Sequence, residues 1–135
     1  MLQLRVNRGR GSKAKSSLVV TLLLCVVLIL AVKQRYIRFE VTGDSMYPTL
    51  TPGDKVIVGK NRRCRVGDVV VLSDPRDRRS LIVKRVQDIC ETEVYVVGDN
   101  PDSSTDSRHF GPVPLDLIVG SVKMRYYPLG ASGSL

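Results

Sequence analysis

One histidine, three cysteines, no tryptophan and 5% aromatic residues leave this 135-residue chain short of several kinds of chemistry. A lone histidine with scattered cysteines argues against a zinc site. Cys25 lies in an apolar run, so only Cys64 and Cys90 could pair, and two unpaired thiols are the simpler reading. No phosphate-binding loop, dinucleotide fingerprint or N-glycosylation sequon occurs. The length allows one small domain plus a tail or anchor, which excludes a multidomain machine or a separate cofactor domain. Acidic residues are missing from residues 1–17, which carry Arg5, Arg8, Arg10, Lys13 and Lys15. The remainder then holds 16 basic against 13 acidic residues, a net of +3. The formal +8 is thus mostly a tail property, and it argues weakly for nucleic-acid binding.

Charge is also absent from Leu18 to Val32, LVVTLLLCVVLILAV. As a helix these fifteen residues would span roughly 23 Å, short of a hydrocarbon core of about 30 Å. Ser16, Ser17 and the aliphatic stems of the flanking lysines would make up the difference. A cleaved signal peptide has a similar outline, but no small-x-small pattern follows Ala31. A buried core helix would need a polar face, and none interrupts the run. The favoured expectation is an uncleaved anchor over 18–32, with the basic tail inside and the domain outside; Lys33, Arg35 and Arg38 keep that bias small.

From Gln34 onward, short runs rich in Val, Ile and Tyr alternate with Gly-Asp and Pro punctuation, which predicts a mainly β domain over 33–129. The expected strands are Tyr36–Val41, Lys55–Gly59, Asp68–Leu72, Leu81–Val86, Glu93–Val97 and Ile118–Tyr126. The recurring Gly-Asp pairs read as turns. The Asp- and Ser-rich stretch Gly98–Pro114 reads as a long loop, a common home of function. Residues 130–135 read as a frayed end.

Two segments could carry chemistry. In Gly43-Asp44-Ser45-Met46-Tyr47-Pro48, a glycine and a proline could hold Ser45 at a tight exposed corner, although such a serine is usually just a turn. In Leu81–Val86, Lys84 would share a strand face with Ile82 and Val86. Desolvation there would lower its pKa toward a range where it could take a proton from a neighbouring serine. Arg85 would point to the other face, adding like-charge pressure if close. The plainer reading of this pair is an edge-strand lysine that discourages aggregation. A triad of Ser45, His109 and Asp106 is a further alternative, weakened by the position of His109 in a polar loop.

Taken together, the blocks GDSMYPTL (Gly43–Leu50), GDKVIV (Gly53–Val58), GDVVVL (Gly67–Leu72), IVKRV (Ile82–Val86) and GDNPDSSTDSRHFGPV (Gly98–Val113) resemble, in order, the type I signal peptidases. These are Ser-Lys membrane endopeptidases that include the mitochondrial inner membrane peptidases. The resemblance implies Ser45 as nucleophile and oxyanion donor through its N–H, and Lys84 as general base. It implies Ser104 as the residue orienting the lysine, Asp106 and Arg108 as a brace for the loop, and Gly98, Asp99 and Asn100 as the turn opening it. Met46 and Pro48 would shape a substrate groove. No cofactor or metal is implied. The partners implied are a precursor protein and the bilayer of a bacterial plasma membrane or mitochondrial inner membrane, with no nucleic acid; a partner subunit is left open. Gly43 stands where some members carry a serine that completes the oxyanion hole. The segment around Gln87–Val94 leaves little room for the second β-rich domain of larger members. That favours a dedicated substrate, and the layout most resembles nickel-type superoxide dismutase maturation proteases, with the mitochondrial peptidases a close second. Repressor-type Ser-Lys autoproteases and an inactive precursor-binding relative are the other readings; the first would need a DNA-binding segment where the apolar run lies.

Overall fold

The computed structural model describes residues 11–128; the first ten residues of the basic tail and the stretch 130–135 expected to fray lie outside them. The chain divides into two units, Met1–Gln34 and Arg35–Leu135.

The first unit is helix α1, which runs Gly11–Arg35 with the last residue contributed by the second unit. It is longer at both ends than the apolar run, because the flanking Ser and Lys residues continue the helix. Its apolar span, Lys15–Arg35, is 21 residues, or roughly 31 Å at ~1.5 Å per residue, enough for a hydrocarbon core. Leu, Val and Ile side chains are exposed around its whole circumference, and none of the span is buried. That removes the core-helix alternative. Thr21, the polar residue inside the run, donates its hydroxyl to the Ser17 carbonyl at 3.0 Å and so needs no outside partner.

The second unit is one antiparallel seven-stranded sheet in the order β1-β2-β7-β3-β4-β5-β6. The strands are β1 Tyr36–Glu40, β2 Lys55–Gly59, β3 Val69–Ser73, β4 Leu81–Cys90, β5 Glu93–Val97, β6 Val113–Pro114 and β7 Ile118–Tyr127. The mainly β class and the six expected strands therefore hold, with end shifts of one residue except in β4. There the expected strand ends at Val86. A register irregularity between Val86 and Asp88 instead lets the strand continue to Cys90. The stretch Gly98–Pro114 is not structureless: it contains a 3-10 turn, Pro101–Ser103, helix α2, Ser107–Phe110, and the short β6.

β3 is central, and both of its faces are buried. Val69 and Val71 join one core with Met46, Leu50, Val56 and Val58, while Val70 and Leu72 join the other with Val86, Val94, Val96 and Ile118. This is why Val69–Leu72 reads as an unbroken apolar run rather than an alternation. The Gly-Asp pairs are indeed turns. Gly53 and Gly67 have φ of 89° and 93°, a region glycine enters at no steric cost. The aspartate that follows each closes its turn by accepting the backbone N–H three residues back: Thr51 N–H to Asp54 Oδ2, and Arg65 N–H to Asp68 Oδ2, both at 2.9 Å.

Candidate active site

The loop joining β1 to β2 is pinned by two core side chains. Met46 and Leu50 are fully buried, and between them Leu50 N–H reaches the Met46 carbonyl at 2.9 Å. Ser45, one residue before the first anchor, is left half-buried at the rim of a cavity of about 210 Å³. Phe39, Val41, Gly43, Met46, Ile82 and Lys84 line the same cavity. Pro48 is exposed and is not among its lining residues, so of the two residues expected to shape a groove only Met46 is on this wall.

Lys84 comes from the middle of β4, which pairs with β3 on one side and β5 on the other. It is not an edge lysine, and the aggregation-guard reading is overturned. Strand alternation buries Lys84 and Val86 together, with only 3% of Lys84 exposed. Burial is the main cause that lowers its pKa. The Asp106 carboxylate opposes that shift, and the Arg76 and Arg108 guanidinium groups reinforce it. The like-charge pressure expected from Arg85 comes instead from these two arginines. Arg85 lies on the opposite face, where Nε and Nη2 clasp Asp99 at 2.8 and 2.7 Å and Nη1 donates to the Gly67 carbonyl at 2.8 Å.

Behind Lys84 stands a chain of side-chain bonds. Lys84 Nζ donates to Ser104 Oγ at 3.0 Å, and Ser104 Oγ donates to Asp106 Oδ2 at 2.6 Å. Asp106 is wholly buried and also receives the Gly98 N–H at 2.8 Å and the Arg108 side chain at 2.9 and 2.6 Å. Burial on its own would raise its pKa. The bonds from Arg108, Gly98 and Ser104 outweigh that cost and hold it well below the ordinary carboxylate range, so the group is ionised. Asp106 also opens α2, where the side chain of His109 accepts the Asp106 backbone N–H at 3.4 Å. That capping position, on an exposed side chain, occupies the only histidine.

The turn Gly98–Asn100 ties the serine loop to this chain. Asn100 donates its backbone N–H to the Ser45 carbonyl at 3.0 Å and its side-chain amide to the Asp44 carbonyl at 3.1 Å. Asp99 accepts the Thr49 hydroxyl at 2.6 Å, which joins the Arg85 clasp to the same loop. A Cβ on Gly98 would collide with the Ser104 side chain and with the Ser45 carbonyl oxygen. Glycine is required here for close approach. The structure thus brings Ser45, Lys84, Ser104, Asp106, Arg108 and Gly98–Asn100 into one region.

Two features were not singled out in the sequence. One is the Arg85–Asp99–Thr49 cluster. The other is a second Asp-x-Arg clasp, Asp74–Arg76, built like Asp106–Arg108: Nε donates to Oδ1 at 2.9 Å, and Nη2 to Oδ2 at 2.6 Å. Its guanidinium lies 5.7 Å from the centre of the Phe110 ring, on the helix that follows Asp106. The repeated Asp-x-Arg spacing was the signal that could have found it.

Comparison with known proteins follows the same lines. The Peptidase S24-like family is matched over residues 4–112, and the chain belongs to that family. Among curated relatives, mitochondrial ATP-independent inner membrane protease subunit 1a of Arabidopsis thaliana is 32% identical, covering 96% of this chain and 95% of its own length. Mitochondrial inner membrane protease subunit 1 of Schizosaccharomyces pombe is 35% identical, covering 64% of this chain and 71% of that protein. Thylakoidal processing peptidase 1 of Arabidopsis thaliana is 27% identical over 66% of this chain and 41% of that protein. The chain is therefore a protease relative of the type I signal peptidase kind, as its sequence blocks imply.

Proposed function

We propose that this chain is a membrane-anchored serine endopeptidase with a Ser45–Lys84 dyad, removing an N-terminal signal segment or propeptide from a protein substrate. The observation that carries the reading is a buried lysine amine lining the same cavity as a serine, its Nζ bonded to Ser104 and its pKa lowered mainly by burial. Neutral Lys84 takes the Ser45 proton as Oγ attacks the scissile carbonyl. The Ser45 N–H steadies the oxyanion, and Lys84 returns the proton to the departing amine. Water, deprotonated by the same amine, then attacks the acyl carbon, the bond to Ser45 Oγ breaks, and Lys84 returns the proton to that Oγ. Ser104, Asp106 and Arg108 act through Lys84, as positioning residues. Met46 forms part of the substrate wall.

Residues 18–32 serve as a single-pass anchor with the basic tail inside, and 33–129 form the peptidase domain. The first reading of its substrate is a nickel superoxide dismutase precursor, supported by the compact layout of the sequence blocks. A mitochondrial-type inner membrane peptidase is the second reading, favoured by the names of the relatives above. Mapping protein N-termini in cells carrying wild type, Ser45→Ala or Lys84→Ala decides both points. The same precursors accumulate with either variant if the dyad is right, and their identity selects the substrate. Unchanged N-termini would sink the protease reading and leave the precursor-binding one.

A further inference from the structure

On the domain, far from any use in the chemistry above, the β2–β3 connection reads Lys60-Asn61-Arg62-Arg63-Cys64-Arg65, four cations in six residues with no acid. Lys60 and the three arginines are exposed, and their side chains make no hydrogen bond or ion pair among the described residues. Asp68 is the one acidic residue lining the adjoining groove, and its carboxylate is engaged by the Arg65 backbone N–H. Unpaired cations at this density are self-repelling, and in this groove a single carboxylate, Asp68, faces several of them.

Where this segment begins identifies what it faces. Lys60 donates its backbone N–H to the Arg35 carbonyl at 2.8 Å, and Tyr36 pairs with Gly59 in the β1–β2 register. Arg35 is the last residue of the apolar span. The cationic segment is therefore fixed, by backbone bonds, to the residue at which the chain leaves the helix. Lys123 extends the cluster, its stem lying across Gly59, and exposed Tyr36 adds an amphipathic ring of the kind that favours the headgroup region.

We propose that Lys60–Arg65, with Arg35 and Lys123, is a docking surface for anionic phospholipid headgroups, which seats the domain on the leaflet where α1 emerges. The inference rests on reading α1 as a membrane anchor. Juxtamembrane cations within a Debye length of an anionic leaflet are drawn to it, and salt weakens the attraction. Seating would fix the height and tilt of the Ser45 cavity relative to the bilayer and so favour substrates cut close to the membrane.

The test is hydrogen exchange of the full chain in nanodiscs of phosphatidylcholine alone or with about a third phosphatidylglycerol. Amides of 60–66 should exchange several-fold more slowly in the anionic discs. The slowing should vanish in high salt and in the triple variant Arg62→Glu, Arg63→Glu, Arg65→Glu, whose Val69–Leu72 amides stay as protected as wild type. Equal exchange in both discs overturns the seating alone. Failure of the chain to enter discs overturns the anchor reading and the seating with it. Slowing found only in discs cut from native membranes assigns the surface to an acidic protein partner, and also overturns the lipid assignment.

Discussion

Lys84 Nζ lies 3.0 Å from Ser104 Oγ, and the proton count on that hydroxyl decides what Lys84 has left to offer. Asp106, ionised and 2.6 Å away, can only accept, so Ser104 gives it its single proton. Ser104 must then accept from Lys84. A neutral amine has two N–H bonds and one lone pair; one N–H goes to Ser104, and the lone pair stays free to accept a proton. Reversing the Ser104 bond would consume that lone pair. The ionisation of Asp106 thus sets the direction of bonding two residues away.

Ser104→Ala tests this arrangement directly. Lys84 loses its tether, while Asp106 keeps Gly98 and Arg108 as donors. A buried hydrogen bond of this kind is worth about 1–3 kcal/mol, and each ~1.4 kcal/mol is tenfold in rate. We expect kcat on a peptide substrate to fall about 10- to 100-fold with KM nearly unchanged. A rise in KM at constant kcat would place Ser104 in substrate binding instead.

The pH profile should respond to Arg76, which is outside the dyad. Neutral Lys84 is the working form, so activity rises with pH through its lowered pKa. Arg76⁺ contributes to that lowering, whereas Asp74 opposes it. Arg76→Gln removes the first and leaves the second in place, so the Lys84 pKa moves upward. The rising limb should move to higher pH with its plateau intact. A lower plateau at an unmoved midpoint would mean that Arg76 only holds the loop.

Gly98→Ala should be severe for so small a change. The added methyl meets the Ser45 backbone on one side and Ser104 on the other, and a backbone oxygen cannot step aside. Overpacking of this kind costs about 1–3 kcal/mol, and here it also separates the serine loop from the lysine chain. Gly43→Ala is the control, since nothing lies within 4 Å of its added Cβ. Its denaturation midpoint should match wild type to within about 0.5 kcal/mol. Equal midpoints for the two variants would refute the close-approach argument.

What could be read in the sequence was what depends on near neighbours. The apolar run Val69–Leu72 announces a strand, and the Gly-Asp pairs announce turns, because apolar runs and turn chemistry are local. Lys84 could be placed on an apolar face by counting along β4. Its position between β3 and β5 could not, since edge and centre differ only in which distant strand pairs. The same limit hid the Arg85–Asp99 pair, fourteen residues apart. Asp74–Arg76, only two residues apart, is obscured for a different reason: a turn explains Asp-Pro-Arg-Asp well enough, and proximity to Lys84 and Phe110 shows what else the clasp does.

Lys84 should also be a burden to the fold, which gives the last prediction. Burial lowers its pKa, so the unfolded chain holds its proton more tightly than the folded one. For a base shifted in this direction the penalty is fully present below the folded pKa. It disappears as pH rises through the unfolded value of about 10.4, because stability increases wherever the unfolded state binds more protons. Lys84→Met keeps an unbranched, similarly sized side chain and discards the ammonium. Ser104 still spends its proton on Asp106, so no donor is orphaned. The variant should be inactive yet more stable at pH 7, by about 0.5–2 kcal/mol as is common when a strained functional group is removed. Its advantage should shrink steadily toward pH 11 in urea titrations of the detergent-solubilised full chain. A Lys84→Met chain less stable than wild type at pH 7 would mean that the Lys84–Ser104–Asp106 bonds outweigh desolvation, and that the amine is held charged.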